Sequence, residues 1–174
     1  MDDPLTKQAS VLDYVEVLGI HDDQVIEGFM RLGFSARTAP AIEMVPVLFV
    51  AWANGSVSGD ECVSAISGIH DAELAEFPET WSVIQDWLDV RPSQELWDLW
   101  TRYTWCRLDS LSSSRRAALN ERLLSHGRRV ARASGGLMGI GSICLDEQVI
   151  LDAIAKVFVC HDSSRPRNPE LLVG

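Results

Sequence analysis

Lysine is almost missing from this chain: Lys7 and Lys156 are the only two among 174 residues, and arginine supplies the rest of the 15 cationic side chains. Set against 25 acidic residues, this leaves a formal net charge of -10. Such a balance argues against holding nucleic acid or an anionic membrane with the surface as a whole. Long apolar runs are missing too. No stretch approaches the roughly 20 apolar residues of a transmembrane helix, and Met1-Asp2-Asp3-Pro4 is acidic where a signal peptide would be basic. A soluble, cytoplasmic chain is the expectation. The four cysteines, Cys62, Cys106, Cys144 and Cys160, form no C-x-x-C pair, so neither a disulfide framework nor a zinc site is indicated. Reduced, mostly buried thiols follow.

What the chain does have is apolar substance: 47% of its residues are hydrophobic, enough for one sizeable core. Residues 1–160 are read as a single all-helical domain and residues 161–174, with Pro166 and Pro169, as a loosely ordered tail. Charge is divided unevenly along it. Residues 1–90 carry 3 basic and 16 acidic side chains, whereas residues 91–174 carry 12 and 9. The two sets would complement each other inside the fold or across a contact between copies, or the acidic face would recruit a basic partner.

Periodicity predicts a bundle of about seven to eight helices. Residues 5–18 and 22–32 read as short amphipathic helices closed by Gly19 and Gly33. Residues 39–53 carry one charge, Glu43, and predict a helix buried on most sides and kinked near Pro46, a proline that would interrupt a strand. Asn54-Gly55 stops it, and Ser58-Gly59-Asp60-Glu61 has the form of a capping box opening a helix to about Ile69. Pro78 and Pro92 are placed in the first turns of helices over 78–90 and 92–111, which hold Trp81, Trp87, Trp97, Trp100 and Trp105 as a core face. A long helix from the Ser112-Ser113-Ser114 cluster to about Leu137 sets Leu119, Leu123, Leu124, Val130 and Ala131 on one side and Arg115, Arg122, Arg128, Arg129 and Arg132 on the other. The last helix covers about 145–159.

One local string occurs twice. Gly55-Ser56-Val57-Ser58-Gly59-Asp60-Glu61-Cys62-Val63 aligns with Gly141-Ser142-Ile143-Cys144-Leu145-Asp146-Glu147-Gln148-Val149, five positions being identical. In each, a Gly-Ser turn precedes a helix whose first turn holds an Asp-Glu pair, where the macrodipole favours negative charge. An internal two-fold repeat of a helix-turn-helix unit is the reading. The apolar helix running into Ala51-Trp52-Ala53-Asn54-Gly55-Ser56-Val57-Ser58-Gly59-Asp60-Glu61, echoed near the C-terminus, resembles the TerB-like family associated with bacterial tellurite resistance and stress response. The resemblance covers about residues 39–159, with residues 5–33 as added N-terminal helices. It implies two related helical halves, no established catalysis, and a role in membrane-associated stress complexes or as a module of larger proteins. Peripheral membrane association through a complex and a protein partner are the contacts it implies, and the charge division leaves a second copy of the chain as a further candidate partner.

The family's acidic turns are thought to bind metal ions, with an Asp before the Gly. Asn54 and Ile140 stand at those positions here, which removes the central carboxylate of each half. Asp60, Glu61, Asp146 and Glu147 are the remaining candidates for a divalent metal, although a hard cation needs about six or more oxygen ligands. An EF-hand fails because Val50 and Trp52 would occupy the first ligand positions of a loop ending at Glu61. His21-Asp22, His70-Asp71 and His161-Asp162 invite a metal-dependent phosphohydrolase of the His-Asp class, but Gly-Ile-His-Asp at 19–22 and 68–71 reads as a helix end followed by an Asp N-cap. Glycines 135–141 lack the Lys-Ser/Thr and the preceding strand of a phosphate loop. The arginine stripe of Arg115, Arg122, Arg129 and Arg132 is left as an interaction surface. No catalytic residue and no cofactor is assigned, and the favoured reading is a non-enzymatic TerB-like module that works by protein interaction. The alternative is a metal-binding protein or metal-dependent hydrolase using the His-Asp or Asp-Glu pairs.

Overall fold

A computed structural model describes residues 4–67, 74–133 and 143–164. Among the described residues the chain is all-helical. The helices are α1 (Pro4–Leu18), α2 (Asp23–Arg31), α3 (Val45–Ala51), α4 (Gly59–Ser67), α5 (Thr80–Asp89), α6 (Gln94–Ser110), α7 (Ser113–Ala133) and α8 (Leu145–Ser164), with 3₁₀ turns at Ala39–Met44 and Leu74–Glu76. No helix of the described residues is long and apolar enough to cross a membrane.

The apolar stretch 39–53 is buried as expected but is not one kinked helix. It is a 3₁₀ turn followed by α3, and the break falls between Met44 and Val45. Proline explains the position. Pro46 has no N–H with which to continue an α-helical ladder onto the Ile42 carbonyl, so Val45 N–H takes that carbonyl in a tighter turn. Pro46 then sits at the second position of α3, where no donor is required. Every residue of α3 is buried.

Around α3 the remaining helices are arranged by their apolar faces. α7, the longest at 21 residues, packs against α3, α4 and α8, and α6 packs against α2, α3 and α8. Gly127 allows the close approach of α8: a Cβ there would lie 2.8 Å from Leu151 Cδ2 on α8, and 3.4 Å from Val50 Cγ2 on α3. Ile26, Phe29, Ile42, Leu48, Ile84, Trp100, Leu108 and Ile154 lie in one connected cluster of buried side chains. An aromatic group ties α2 to its neighbours, with Phe29 edge-on to both Phe34 and Tyr103.

Several boundaries differ from the sequence reading. Pro78 and Pro92 precede the N-cap residues Glu79 and Ser93 and so stand just outside α5 and α6. Trp100 is fully buried, and Trp87 and Trp97 pack against the core, but Trp81 and Trp105 are each 38% exposed and belong to the surface. The thiols are free, yet none is fully buried: three are half-buried and Cys144 is exposed. Helix α8 continues past residue 159 to Ser164, which corrects the placing of His161 in a loose tail. His161 is buried, its Nε2 lies 3.0 Å from Asp109 Oδ1 on α6, and Asp162 lies 3.3 Å from Arg116 on α7. These partners hold the last turn of α8 in place. The end of the long arginine-bearing helix near Leu137, and the helix end near Ile69, lie outside the described residues.

Candidate functional site

The acidic pairs open α4 and α8. Ser58 N–H donates to Glu61 Oε2 at 2.7 Å and Glu61 N–H donates to Ser58 Oγ at 3.3 Å, a capping box. Cys144 N–H donates to Glu147 Oε2 at 2.7 Å. Glu61 and Glu147 are buried, at 0% and 1% exposure, while Asp60 and Asp146 face solvent. The glutamates therefore satisfy orphan backbone donors at helix starts. Gly141 and Ser142, the second Gly-Ser turn, lie outside the described residues, as does His70-Asp71. Among the described residues, no three His, Cys, Asp or Glu side chains group as metal ligands would.

The remaining His-Asp pairs have separate surroundings. His21 is exposed, and Asp22 caps α2 by accepting Val25 N–H at 2.9 Å, as the Gly-Ile-His-Asp string predicted. His161 is engaged with Asp109, and its Nδ1 lies 3.6 Å from Asp162. A histidine outside the pairs, His126, is buried on α7 against the Ser64 carbonyl of α4 at 3.3 Å.

Arg115, Arg122, Arg129 and Arg132 lie on the exposed side of α7. Arg122 is shared with the fold, since its guanidinium is 3.7 Å from Glu43. Glu43 is the lone charge of the apolar stretch and also contacts Arg107 and the Tyr103 hydroxyl. Burial, and then the Glu43 carboxylate, hold the Tyr103 phenol above its ordinary range. This cluster fastens the Ala39–Met44 turn to α6 and α7. Arg128, counted with the stripe in the sequence, is half-buried and lies 3.7 Å from Glu121. Arg116 lies off the stripe, where its Nε donates to the Leu108 and Leu111 carbonyls at the end of α6.

A concavity lies elsewhere, in a place the sequence did not indicate. A groove of about 610 Å³ runs between the segment after α2, the end of α5 and the start of α6. Gly33, at φ +81°, turns the chain so that Phe34 reaches this groove. Phe34 meets Trp87 edge-on at 5.8 Å. The Trp87 carbonyl in turn accepts the Trp52 indole N–H at 2.8 Å, which anchors the groove to the end of α3. Val83 and Leu96 complete an apolar floor, Val90 forms an exposed wall, and Asp86, Asp89 and Arg91 stand at the rim. The signal in the sequence was faint: Trp87 and Val90 straddle the end of a helix just before Pro92, and Phe34 is 53 positions away from Trp87. A shallower groove of about 500 Å³ lies between α6 and α8 around Trp105, Arg102 and Lys156.

In chemical terms the larger groove offers apolar and aromatic contact with charged flanks, which suits recognition by burial of anchor side chains. In comparisons with known proteins, the chain matches no family model, no curated protein and no solved structure.

Proposed function

We propose that this protein is a non-enzymatic, TerB-like helical module that acts by binding another protein, as a component of a stress-response assembly. The observation that carries the interaction reading is the apolar-floored groove beside α5, where Val90 is 70% exposed above Phe34 and Trp87. An apolar wall left in water beside an aromatic floor is the kind of surface that a partner covers. The TerB-like part of the proposal rests on the Ala51-to-Glu61 string and on its echo in the sequence from Gly141 to Val149. In its support, α4 and α8 each start on a buried glutamate that accepts a backbone N–H three residues earlier. A role alongside membrane-associated complexes would then come through the partner.

The test is affinity capture from the native host with the full chain and with Val90→Asp, read by quantitative mass spectrometry. Val90 is exposed, so the substitution leaves the core intact while placing a charge on the groove wall. A genuine groove partner falls by about tenfold or more, the equivalent of ~1.4 kcal/mol. A protein set recovered equally by both chains refutes the groove as the interaction site.

A further inference from the structure

We propose that the groove beside α5 receives a basic polypeptide segment that carries apolar anchor side chains; this rests on the interaction-module reading and names the class of partner. The charge around the groove points to cations. On the α5 side, from Leu74 to Glu95, five carboxylates are exposed (Glu76, Glu79, Asp86, Asp89 and Glu95) against the single cation Arg91, while the segment on the α2 side carries the exposed cations Arg31 and Arg37. Two of them, Asp86 and Asp89, line the groove itself. Glu79 is the one already engaged with a cation, through its two bonds to Arg37. Residues 1–90 as a whole are similarly one-sided, with 16 acidic residues to 3 basic. A positively charged partner is steered to such a surface and an acidic one is repelled.

The floor adds a second requirement. Phe34, Val83 and Trp87 present apolar surface, and a purely charged ligand would bury none of it. The shape favours a polypeptide over a small molecule, because small-ligand sites enclose most of their ligand's surface and this groove stands open beside Val90. The chain's own basic face does not meet the requirement. Between its arginines the exposed side of α7 offers Ser114, Ala118 and Ser125, which are too small to serve as anchors.

Three synthetic peptides of about 15 residues test the inference, following the anchor spacing of helix-in-groove recognition: an amphipathic Leu-Lys sequence, its Leu-Glu counterpart, and a Ser-Lys sequence of equal charge. Each is titrated into the full-length, isotope-labelled protein and followed by amide and indole NMR signals. The Leu-Lys peptide moves the signals of Val83, Trp87 and Val90 and binds at least about tenfold tighter than either control. Asp86→Asn with Asp89→Asn weakens it about threefold or more, and added salt weakens it further. Equal binding of the Leu-Glu or Ser-Lys peptide overturns the proposal, as do shifts confined to α7 or α8. Concentration-dependent dimerisation that moves the Val90 signal overturns it in favour of a second copy. If the peptides fail while a host partner still depends on Val90, the basic class falls and the interaction module stands. If that dependence is absent as well, both fall.

Discussion

Replacing Glu61 by Ala separates a helix-capping role for the Asp-Glu pair from a metal-binding one. Glu61 is fully buried, and its Oε2 is the acceptor for Ser58 N–H at 2.7 Å. Truncation leaves that N–H without its partner at the start of α4, and a lost cap costs about 0.5–2 kcal/mol. Emptying the buried site adds a cavity cost. Against this, Oε1 of Glu61 is buried with no hydrogen-bond partner, so removing the carboxylate also relieves some desolvation. The net expectation is a loss of about 1–3 kcal/mol. In a chain of this size that corresponds to a fall in Tm of about 2–12 °C. Asp60 is its neighbour in sequence but faces solvent, and its macrodipole contribution is about 0.3–1 kcal/mol. Urea denaturation followed by tryptophan fluorescence, with EDTA present throughout, should therefore rank Glu61→Ala well above Asp60→Ala, with Glu61→Gln between them because it keeps an acceptor for Ser58. Equal costs for Glu61→Ala and Asp60→Ala, or a Glu61→Ala protein of unchanged stability, would refute the capping account.

The cap on α8 has only the glutamate half of a capping box, because Cys144 stands where Ser58 stands on α4; Cys144→Ser should raise stability by about 0.5–1 kcal/mol in the same denaturation assay, and a loss would contradict the cap geometry. Glycine substitutions should divide by their surroundings. Gly59→Ala, with nothing within 4 Å of the added methyl, should gain about 0.4–1 kcal/mol, whereas Gly127→Val, forced against Leu151 and Val50, should lose about 1–3 kcal/mol; the reverse order would mean that α7 is not packed as described. Burial first, and then the Asp22 and Asp109 carboxylates, push the Cys106 thiol from 9.0 up to about 11. A raised folded-state value means that the thiol's contribution to stability is fully present below pH 9 and is lost as pH rises through 11. Alkaline denaturation should accordingly be less steep in Cys106→Ser, and alkylation near neutral pH should reach exposed Cys144 first; a Cys106 that reacts as fast as Cys144 contradicts this environment.

Features written into neighbouring residues were legible in the sequence. Gly19, Gly33 and Gly55 take positive φ where helix ends were read, Asp22 caps α2, and the Ser58-to-Glu61 box forms as spelled. Each is decided within four residues. The break beside Pro46 was read as a kink within one helix because so apolar a stretch has no periodic signal, and only the backbone consequence of Pro46 sets it between Met44 and Val45. The last turn of α8 was read as tail because its support, Asp109 and Arg116, comes from other helices. The groove was invisible for the same reason: Phe34, Trp87 and Leu96 come from three segments that meet only after folding. The arginine stripe was legible as an exposed face, but the pairing of Arg122 with Glu43 across 79 positions was not.

The central claim, that the groove beside α5 is where this protein meets its partner, is tested most directly by photo-crosslinking in the native host. Benzoylphenylalanine is placed at Val90 on the groove wall or, as a control, at Val159, which is 62% exposed on α8 and does not line that groove. Discrete adducts from Val90 to a protein with a basic, apolar-anchored segment, and none of these from Val159, are the predicted result. No adduct at Val90, or the same adducts from both positions, would contradict it.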